Sequence, residues 1–239
     1  MSLNLAIVLE TGAASRPEHT AVIADAAQGG AGRRLTYREL NELACRCASG
    51  LAKAGVRPGD KVAVLLSNEP EFLIAYFGVL KAGACVVPLN TLLKSGEIAA
   101  ELEDSDSTLL IADEALLSEA RSAFARVEAC DRLVVVRAGP RNGTQGQAPV
   151  ECGCDWQELL GNGCPDWDTV QARPGDTAVI LYTAGSFGRP KGAELSHFSL
   201  FYNAALTCDQ LSHTTPDDVS LASLPLFHAF GQTCVMNAT

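Results

Sequence analysis

Short runs of aliphatic residues alternate with helical patterns along most of this chain, and the alternation limits the folds open to it. The aliphatic runs lie at residues 62–66, 85–89, 108–112, 133–136 and 177–182. Each run is nearly continuous, which is typical of strands buried on both faces of a parallel sheet. Parallel strands need crossover connections, and helical patterns lie at residues 70–82, 96–103 and 114–127. We therefore predict a layered α/β fold with a mostly parallel sheet, a helix from Ser196 and a further strand near residues 219–223.

Two local signals refine this outline. Thr36 and Glu39 have the spacing of a capping box, which predicts that a helix begins behind Thr36. The apolar stripe of that helix would contain Leu40, Leu43, Cys47, Leu51 and Ala54. Residues 138–153 are rich in Gly, Pro, Asn and Gln, and this composition predicts a surface loop or a loose hairpin.

The composition narrows the class of protein. A chain of 239 residues forms one large domain or two small ones, and a hydrophobic content of 47% excludes global disorder. The 28 acidic residues outnumber the 18 basic ones, which gives a net charge of −10. This balance argues against duplex nucleic acid as a partner, because binding its phosphates needs an excess of Lys and Arg. A small anion such as a nucleotide stays possible, since it needs only a local positive site.

The N-terminus and the cysteines bear on the compartment. No basic residue precedes the first apolar run and Glu10 ends it, so we predict no signal peptide. No apolar run approaches the 18 residues of a membrane span, and we expect a cytoplasmic protein with nine reduced cysteines. Cys152, Cys154 and Cys164 are the only cluster that suggests zinc. A structural zinc site needs four ligands, and none completes this set, so we predict no metal site.

A Gly-rich loop, TAGSFGRPKG at residues 183–192, follows the last of the aliphatic runs. Glycines let several backbone N–H groups approach a ligand, and a Lys in the same loop adds a positive charge, as in phosphate-binding loops. A Walker P-loop fits poorly, because Pro190 replaces its second Gly and Gly192 replaces its Ser or Thr. A serine-hydrolase elbow at Ser186, with Asp217 or Asp218 and then His228, would need a helix directly behind the serine.

A third interpretation accounts for more of the chain. Residues 181–197, LYTAGSFGRPKGAELSH, resemble the phosphate loop of adenylate-forming enzymes, and residues 224–231, LPLFHAFG, resemble their next motif. Upstream, the sequence GDKV at residues 59–62 with Asn68, and residues 83–84 with 87–90, are similar to the N-terminal region of AMP-forming acyl-CoA synthetases. The resemblance runs from about Thr36 to Thr239, and its motifs occur in the family's order.

The resemblance implies a function and a set of site residues. The family activates a carboxylic acid with ATP and Mg²⁺, and coenzyme A then captures the acyl-adenylate. Lys191 and His228 would be catalytic, His228 lying near the carboxylate and the α-phosphate. The phosphates would be cradled by Thr183, Ala184, Gly185, Ser186, Gly188, Lys191 and Gly192. Likeness around residues 224–233 favours a fatty acid.

Two departures from the family pattern qualify that expectation. Ala184 replaces a hydroxyl residue and Phe187 replaces a Thr, so two phosphate donors are missing and we expect weaker ATP binding. Family members are much longer, and their Mg²⁺ ligand, hinge and C-terminal domain lie beyond the region matched here. We therefore expect an N-terminal portion of the AMP-binding domain that is inactive alone and that self-associates through exposed apolar surface. A non-catalytic remnant that binds a nucleotide or a protein is the alternative, beside the serine hydrolase.

Overall fold

A computed structural model of the chain describes residues 2–24, 32–137, 153–183 and 190–238. Its main feature is a seven-stranded sheet. The strands are β3 (Lys61–Leu65), β4 (Cys85–Pro88), β5 (Ser107–Asp113), β6 (Arg132–Val136), β7 (Cys154–Asp155), β8 (Thr177–Thr183) and β9 (Lys191–Ser196). Their order across the sheet is β7-β6-β5-β3-β4-β8-β9. All neighbours pair in parallel except β8 and β9, which are antiparallel. The prediction of a layered α/β fold with a mostly parallel sheet is confirmed.

Helices cover both faces of this sheet. They are α1 (Ile7–Ser15), α2 (Tyr37–Lys53), α3 (Pro70–Lys81), α4 (Ser95–Asp104), α5 (Leu117–Phe124), α6 (Trp156–Asn162), α7 (His197–Leu206) and the short α8 (Ala229–Gly231). The core on one face includes side chains of α1, α2, α3 and α6, and the core on the other face includes those of α4 and α5. The central strands are therefore buried on both faces, which is why they are almost wholly apolar.

Local sequence signals mark the starts of α2 and α3 as predicted. The capping box is present at α2, where the Thr36 hydroxyl accepts from the Glu39 N–H and the Glu39 carboxylate accepts from the Thr36 N–H. Pro70 occupies the first turn of α3, where its missing N–H has no intrahelical partner to lose. A separate hairpin of β1 (Thr20–Ala24) and β2 (Arg33–Thr36) precedes α2.

Two predicted elements need correction, and one strand of the sheet was not predicted. Residues 219–223 form no strand: Val219 and Leu221 are more than four-fifths exposed, and the Ser223 N–H turns back to the Leu221 carbonyl at 2.9 Å. With no neighbouring strand to pair with, their apolar pattern is not enough to form one. The predicted helix at 114–127 begins instead with one 3₁₀ turn, Glu114–Leu116, and its α-helical part ends at Phe124. Strand β9 was not predicted, because its exposed residues carry no apolar signal.

The predictions for the loop, the cysteines and a membrane span can be compared with the structure only over the described residues. Most of the predicted loop at 138–153 lies outside the described residues. The eight cysteines within the described ranges are free thiols. In that part of the chain no helix is long and apolar enough to cross a membrane.

Candidate functional site

The carboxyl ends of β3, β4 and β8 lie at the same edge of the sheet, because these three strands are parallel neighbours. The chain leaves β3 into α3, which packs on one face, and leaves β4 into α4, which packs on the other. Connections that diverge in this way open a crevice at the carboxyl ends of the two strands, and ligands of open α/β sheets bind in such crevices. The sheet topology therefore points to this edge as the candidate site.

The Gly-rich loop joins β8 to β9 as the end of an antiparallel hairpin. Thr183 and Lys191 are register partners on the two strands where the loop begins and ends, and both are exposed. Lys191 thus offers its ammonium group, and Thr183 its hydroxyl, at the carboxyl end of β8. The predicted binding residues Ala184, Gly185, Ser186 and Gly188 lie outside the described residues, as does Phe187.

The base of this hairpin is anchored to α4 through Tyr182. The Tyr182 hydroxyl lies 2.7 Å from the Asp104 carboxylate, to which it donates, and 3.3 Å from the Glu101 carbonyl oxygen. Burial, and then the hydrogen bond to the Asp104 carboxylate, raise the pKa of Tyr182 above its usual range. Gly192 lies opposite Tyr182, and a Cβ there would come within 2.9 Å of Ile180 and 3.2 Å of the Tyr182 ring. Gly192 therefore has a packing reason to be glycine, beside any contact with a ligand.

The second motif forms a tight turn, which we call the His228 turn and define as residues 224–231. The His228 N–H donates to the Pro225 carbonyl at 3.1 Å, and the His228 carbonyl accepts from the Gln232 N–H at 3.0 Å. Gly231 lets the turn close on itself, since a Cβ there would lie 2.3 Å from the Pro225 oxygen. Leu226 is buried in the core, whereas His228 is exposed.

Asn68 joins the His228 turn to the sheet. Its amide nitrogen donates to the carbonyl oxygens of Ala222 at 3.0 Å and Leu224 at 2.7 Å. Its amide oxygen accepts from the Leu226 N–H at 2.8 Å. The resemblance included Asn68 without assigning it a role. Its position directly after a buried strand was visible in the sequence, but its partners more than 150 residues away were not.

The structure brings some predicted site residues together and leaves others apart. Thr183 and Lys191 meet across the hairpin, whereas no hydrogen bond in the described residues joins either of them to His228. Sequence reasoning also missed the contact of Tyr182 with Asp104. An aromatic residue at the end of a buried strand was visible, but its partner on α4 was not.

The serine-hydrolase interpretation does not fit this arrangement. Behind the loop the chain continues as strand β9, where the elbow needs a helix. The Asp217 carboxylate lies 3.4 Å from the Arg16 guanidinium, and the Asp218 carboxylate accepts from the Thr215 N–H. Neither carboxylate hydrogen-bonds to His228 within the described residues, so the hydrolase order in the sequence is not matched by a catalytic triad there.

Metal binding and nucleotide binding place different demands on these residues. In the described part of the chain, no group of three or more His, Cys, Asp or Glu side chains could hold a metal ion. A nucleotide phosphate, in contrast, needs a positive charge and hydrogen-bond donors. Lys191 and Thr183 supply both from one side of the hairpin, so this part of the site fits the phosphates of ATP.

An open, mostly parallel sheet with a Gly-rich, Lys-bearing hairpin is typical of nucleotide-binding α/β domains. The chain belongs to the AMP-binding enzyme family, whose model matches residues 9–239. This confirms the family resemblance of the sequence motifs.

The chain is similar to several CoA ligases. It is 34% identical over 207 residues to a feruloyl-CoA synthase from Amycolatopsis sp, covering 85% of this chain and 37% of that protein. It is 33% identical over 206 residues to the long-chain-fatty-acid–CoA ligase FadD13 from Mycobacterium tuberculosis, with the same two coverages. Among solved structures, ATP-bound MatB from Rhodopseudomonas palustris superposes with a TM-score of 0.82 at 26% identity, over 100% of this chain and 43% of that one. The chain thus spans less than half the length of the relatives it matches.

Proposed function

We propose that the chain is the N-terminal part of an AMP-forming acyl-CoA synthetase, as residues 1–239 of its AMP-binding domain. In the complete reaction a carboxylate oxygen attacks the α-phosphorus of ATP and pyrophosphate leaves. Coenzyme A then displaces AMP from the acyl-adenylate. The single observation that carries the proposal is the pairing of Lys191 with Thr183 at the carboxyl end of β8, in a chain of the AMP-binding enzyme family.

Each proposed site residue has a physical task. The Lys191 ammonium would offset the charge that the leaving pyrophosphate gains, and Thr183 would donate a hydroxyl hydrogen bond to the same phosphates. Gly185, Ser186 and Gly188 would add backbone and hydroxyl donors, and Ala184 and Gly192 would leave room for the phosphates. His228 would orient the carboxylate against the α-phosphorus. Mg²⁺ would neutralise phosphate charge, and we assign it no ligand in this chain.

Calorimetric titration of the chain with ATP tests the proposal. Lys191→Ala should weaken ATP binding by about 10- to 100-fold, because a hydrogen bond to a charged group contributes about 1.5–3 kcal/mol. Lys53→Ala is the control, since it removes another exposed lysine, in the last turn of α2 and outside the proposed site. Equal affinities for the two variants would refute the phosphate-binding role of the hairpin.

A second experiment tests whether the chain acts alone. We propose that it does not turn over, because it spans only 37% of the length of the curated CoA ligases that it resembles. Pyrophosphate release with ATP, coenzyme A and a panel of acids should equal that of Lys191→Ala. Release above that level would show that this chain alone suffices for the first half-reaction, the formation of the acyl-adenylate.

The substrate class is the finer part of the proposal. We propose a fatty acid, supported by the similarity to a long-chain-fatty-acid–CoA ligase. The similarity to a feruloyl-CoA synthase makes an aromatic acid the competing choice. Thermal shift of the chain with AMP and either oleate or ferulate separates them. A larger shift with ferulate would overturn the fatty-acid assignment.

The departures at positions 184 and 187 lead to a gain-of-binding test. The double variant Ala184→Ser, Phe187→Thr restores two hydroxyl donors to the loop, so its ATP affinity should rise at least about tenfold in the same calorimetry. Unchanged affinity would mean that these two positions do not contact the phosphates.

A non-catalytic remnant is the second candidate, favoured by Ala184 and Phe187, which lack the two hydroxyl donors of the family's loop. It predicts ATP binding without turnover even when the chain is part of a longer protein. Self-association would follow from the exposed apolar side chains of Leu211, Val219, Leu221 and Phe230. Sedimentation velocity of the wild type and of the double variant Val219→Ser, Leu221→Ser tests the self-association. A monomeric wild type would contradict the self-association.

A further inference from the structure

Asn68 directs its whole side-chain amide at one segment of the chain. Its nitrogen donates to the carbonyls of Ala222 and Leu224, and its oxygen accepts from the Leu226 N–H. No other side chain in the described residues hydrogen-bonds to residues 221–226. We propose that Asn68 is a positioning residue, which acts through the His228 turn to set where His228 projects at the carboxyl edge of the sheet.

The backbone on both sides of Asn68 belongs to rigid elements. Asn68 follows β3, which pairs with β4 on one side and β5 on the other and is buried along almost its whole length. Two residues further on, α3 begins at Pro70, whose ring fixes the backbone at the start of the helix. Asn68 therefore holds its partners against the centre of the sheet rather than against a surface loop.

Contacts within the His228 turn link the position of Leu226 to that of His228. Leu226, the residue that donates to Asn68, is buried and lies two positions before His228. The 3.1 Å bond from the His228 N–H to Pro225 and the close approach at Gly231 leave the turn little freedom. Fixing residues 222–226 therefore fixes the backbone of His228.

The chemistry of the contact selects asparagine. Two carbonyl oxygens need two donors and one N–H needs an acceptor, and a primary amide supplies all three from one short side chain. Aspartate would keep the acceptor for Leu226 but would place a carboxylate against the carbonyls of Ala222 and Leu224. Alanine would leave all three backbone groups without this partner.

The restraint is needed because little else holds the segment. Residues 219–223 have no paired strand, and Val219 and Leu221 are exposed. Asn68 gives these residues a fixed register relative to β3. The inference rests on the proposed function for the task of His228, but the restraint itself can be measured without any ligand.

Amide hydrogen exchange of the ligand-free chain is the first test. Asn68→Ala should speed exchange at the Leu226 and His228 N–H groups at least tenfold and leave the amides of β3 unchanged. Asn203→Ala, at an exposed asparagine on α7, is the matched control and should leave all of them unchanged. Wild-type exchange at Leu226 in Asn68→Ala would overturn the proposal.

Nucleotide binding is the second test, with ATP as the probe. ATP should shift the His228 ring resonances of the wild type, and Asn68→Ala should lose at least half of that shift while its ATP affinity changes less than threefold. Lys191→Ala should instead lose affinity. A His228 response that survives in Asn68→Ala would contradict the positioning role.

The two tests fail separately. If the wild type does not bind ATP, the proposed function fails, while the exchange at Leu226 still decides whether Asn68 holds the turn. If Asn68→Ala does not fold, Asn68→Asp replaces it. This variant should keep Leu226 protected, because the acceptor remains, and reduce the His228 response. Full retention of that response would overturn the proposal.

Discussion

Strands β3 and β9 belong to the same sheet, yet their side chains meet different surroundings. Four of the five residues of β3 are buried, and the strand pairs on both sides. The first four residues of β9 are exposed, and the strand pairs only with β8. The centre of the sheet thus holds the fold together, while its β8–β9 side leaves polar groups exposed. Substitutions in the two regions should therefore have unlike effects.

The largest expected effect comes from the core that covers the centre of the sheet. Phe72 on α3 is fully buried, and its replacement by Ala should lower the free energy of unfolding by about 3–5 kcal/mol, through lost burial and the cavity left behind. Urea unfolding followed by circular dichroism measures the change. Lys191→Ala, at an exposed side chain of β9, should change the stability by less than about 0.5 kcal/mol. Similar losses in both variants would break the distinction between the two regions.

The same distinction explains how far the sequence predicts the fold. Buried strands such as β5 are continuous apolar runs, and a parallel sheet with crossovers is the arrangement that buries them. Strand β9 exists because β8 offers it hydrogen bonds, and no periodicity in its sequence records that. Residues 219–223 show the opposite case. Their apolar pattern predicts a strand, but no neighbouring strand is there to pair with it, so none forms.

The candidate site was predictable to a different degree. The motif at residues 183–192 predicts a phosphate-binding loop. The structure adds that Thr183 and Lys191 lie opposite each other in a hairpin. The contacts of Asn68 with the His228 turn join residues 154 to 158 positions apart. Such long-range pairing depends on the topology of the whole sheet, so a single sequence does not indicate it.

The junction of the two regions should respond to pH. Glu101 lies on α4 beneath Tyr182, and burial, with the nearby charges of Glu97 and Asp104, raises its pKa to about 7. The folded chain therefore keeps a proton that the unfolded chain releases near pH 4.3, so the folded state binds more protons between these values. Stability should fall on the order of 2–3 kcal/mol as the pH rises from about 4.5 to 7, at about 1.4 kcal/mol per pKa unit.

Glu101→Gln isolates this contribution. The variant stays uncharged, so urea unfolding at pH 5 and pH 8 should show a smaller loss at the higher pH than in the wild type. His197 acts in the opposite direction: burial lowers its pKa, so its contribution to stability falls as the pH drops below about 6.5. It is present in both proteins and cancels in the comparison. Glu103→Gln, at an exposed neighbour on α4, should keep the wild-type pH dependence. The same dependence in Glu101→Gln would show that Glu101 is ionised at pH 5.

The smallest expected change in stability comes from replacing one glycine in each region by alanine. A Cβ at Gly78 would lie 2.6 Å from the Cβ and Sγ of Cys47, where α3 packs on α2, and 3.2 Å from the Ala44 carbonyl. Gly78→Ala should therefore cost about 1–2 kcal/mol in thermal or urea unfolding, even though alanine favours the helix by about 0.5–1 kcal/mol. A Cβ at Gly192 would lie 2.9 Å from Cγ2 of Ile180 and 3.2 Å from the ring of Tyr182. These approaches are longer than the 2.6 Å contacts at Gly78 and involve no backbone atom, so Gly192→Ala should cost less, about 1 kcal/mol. If Gly192→Ala were the more costly of the two, the hairpin would be packed as tightly as the core, because only an immobile Tyr182 ring would make that contact so expensive.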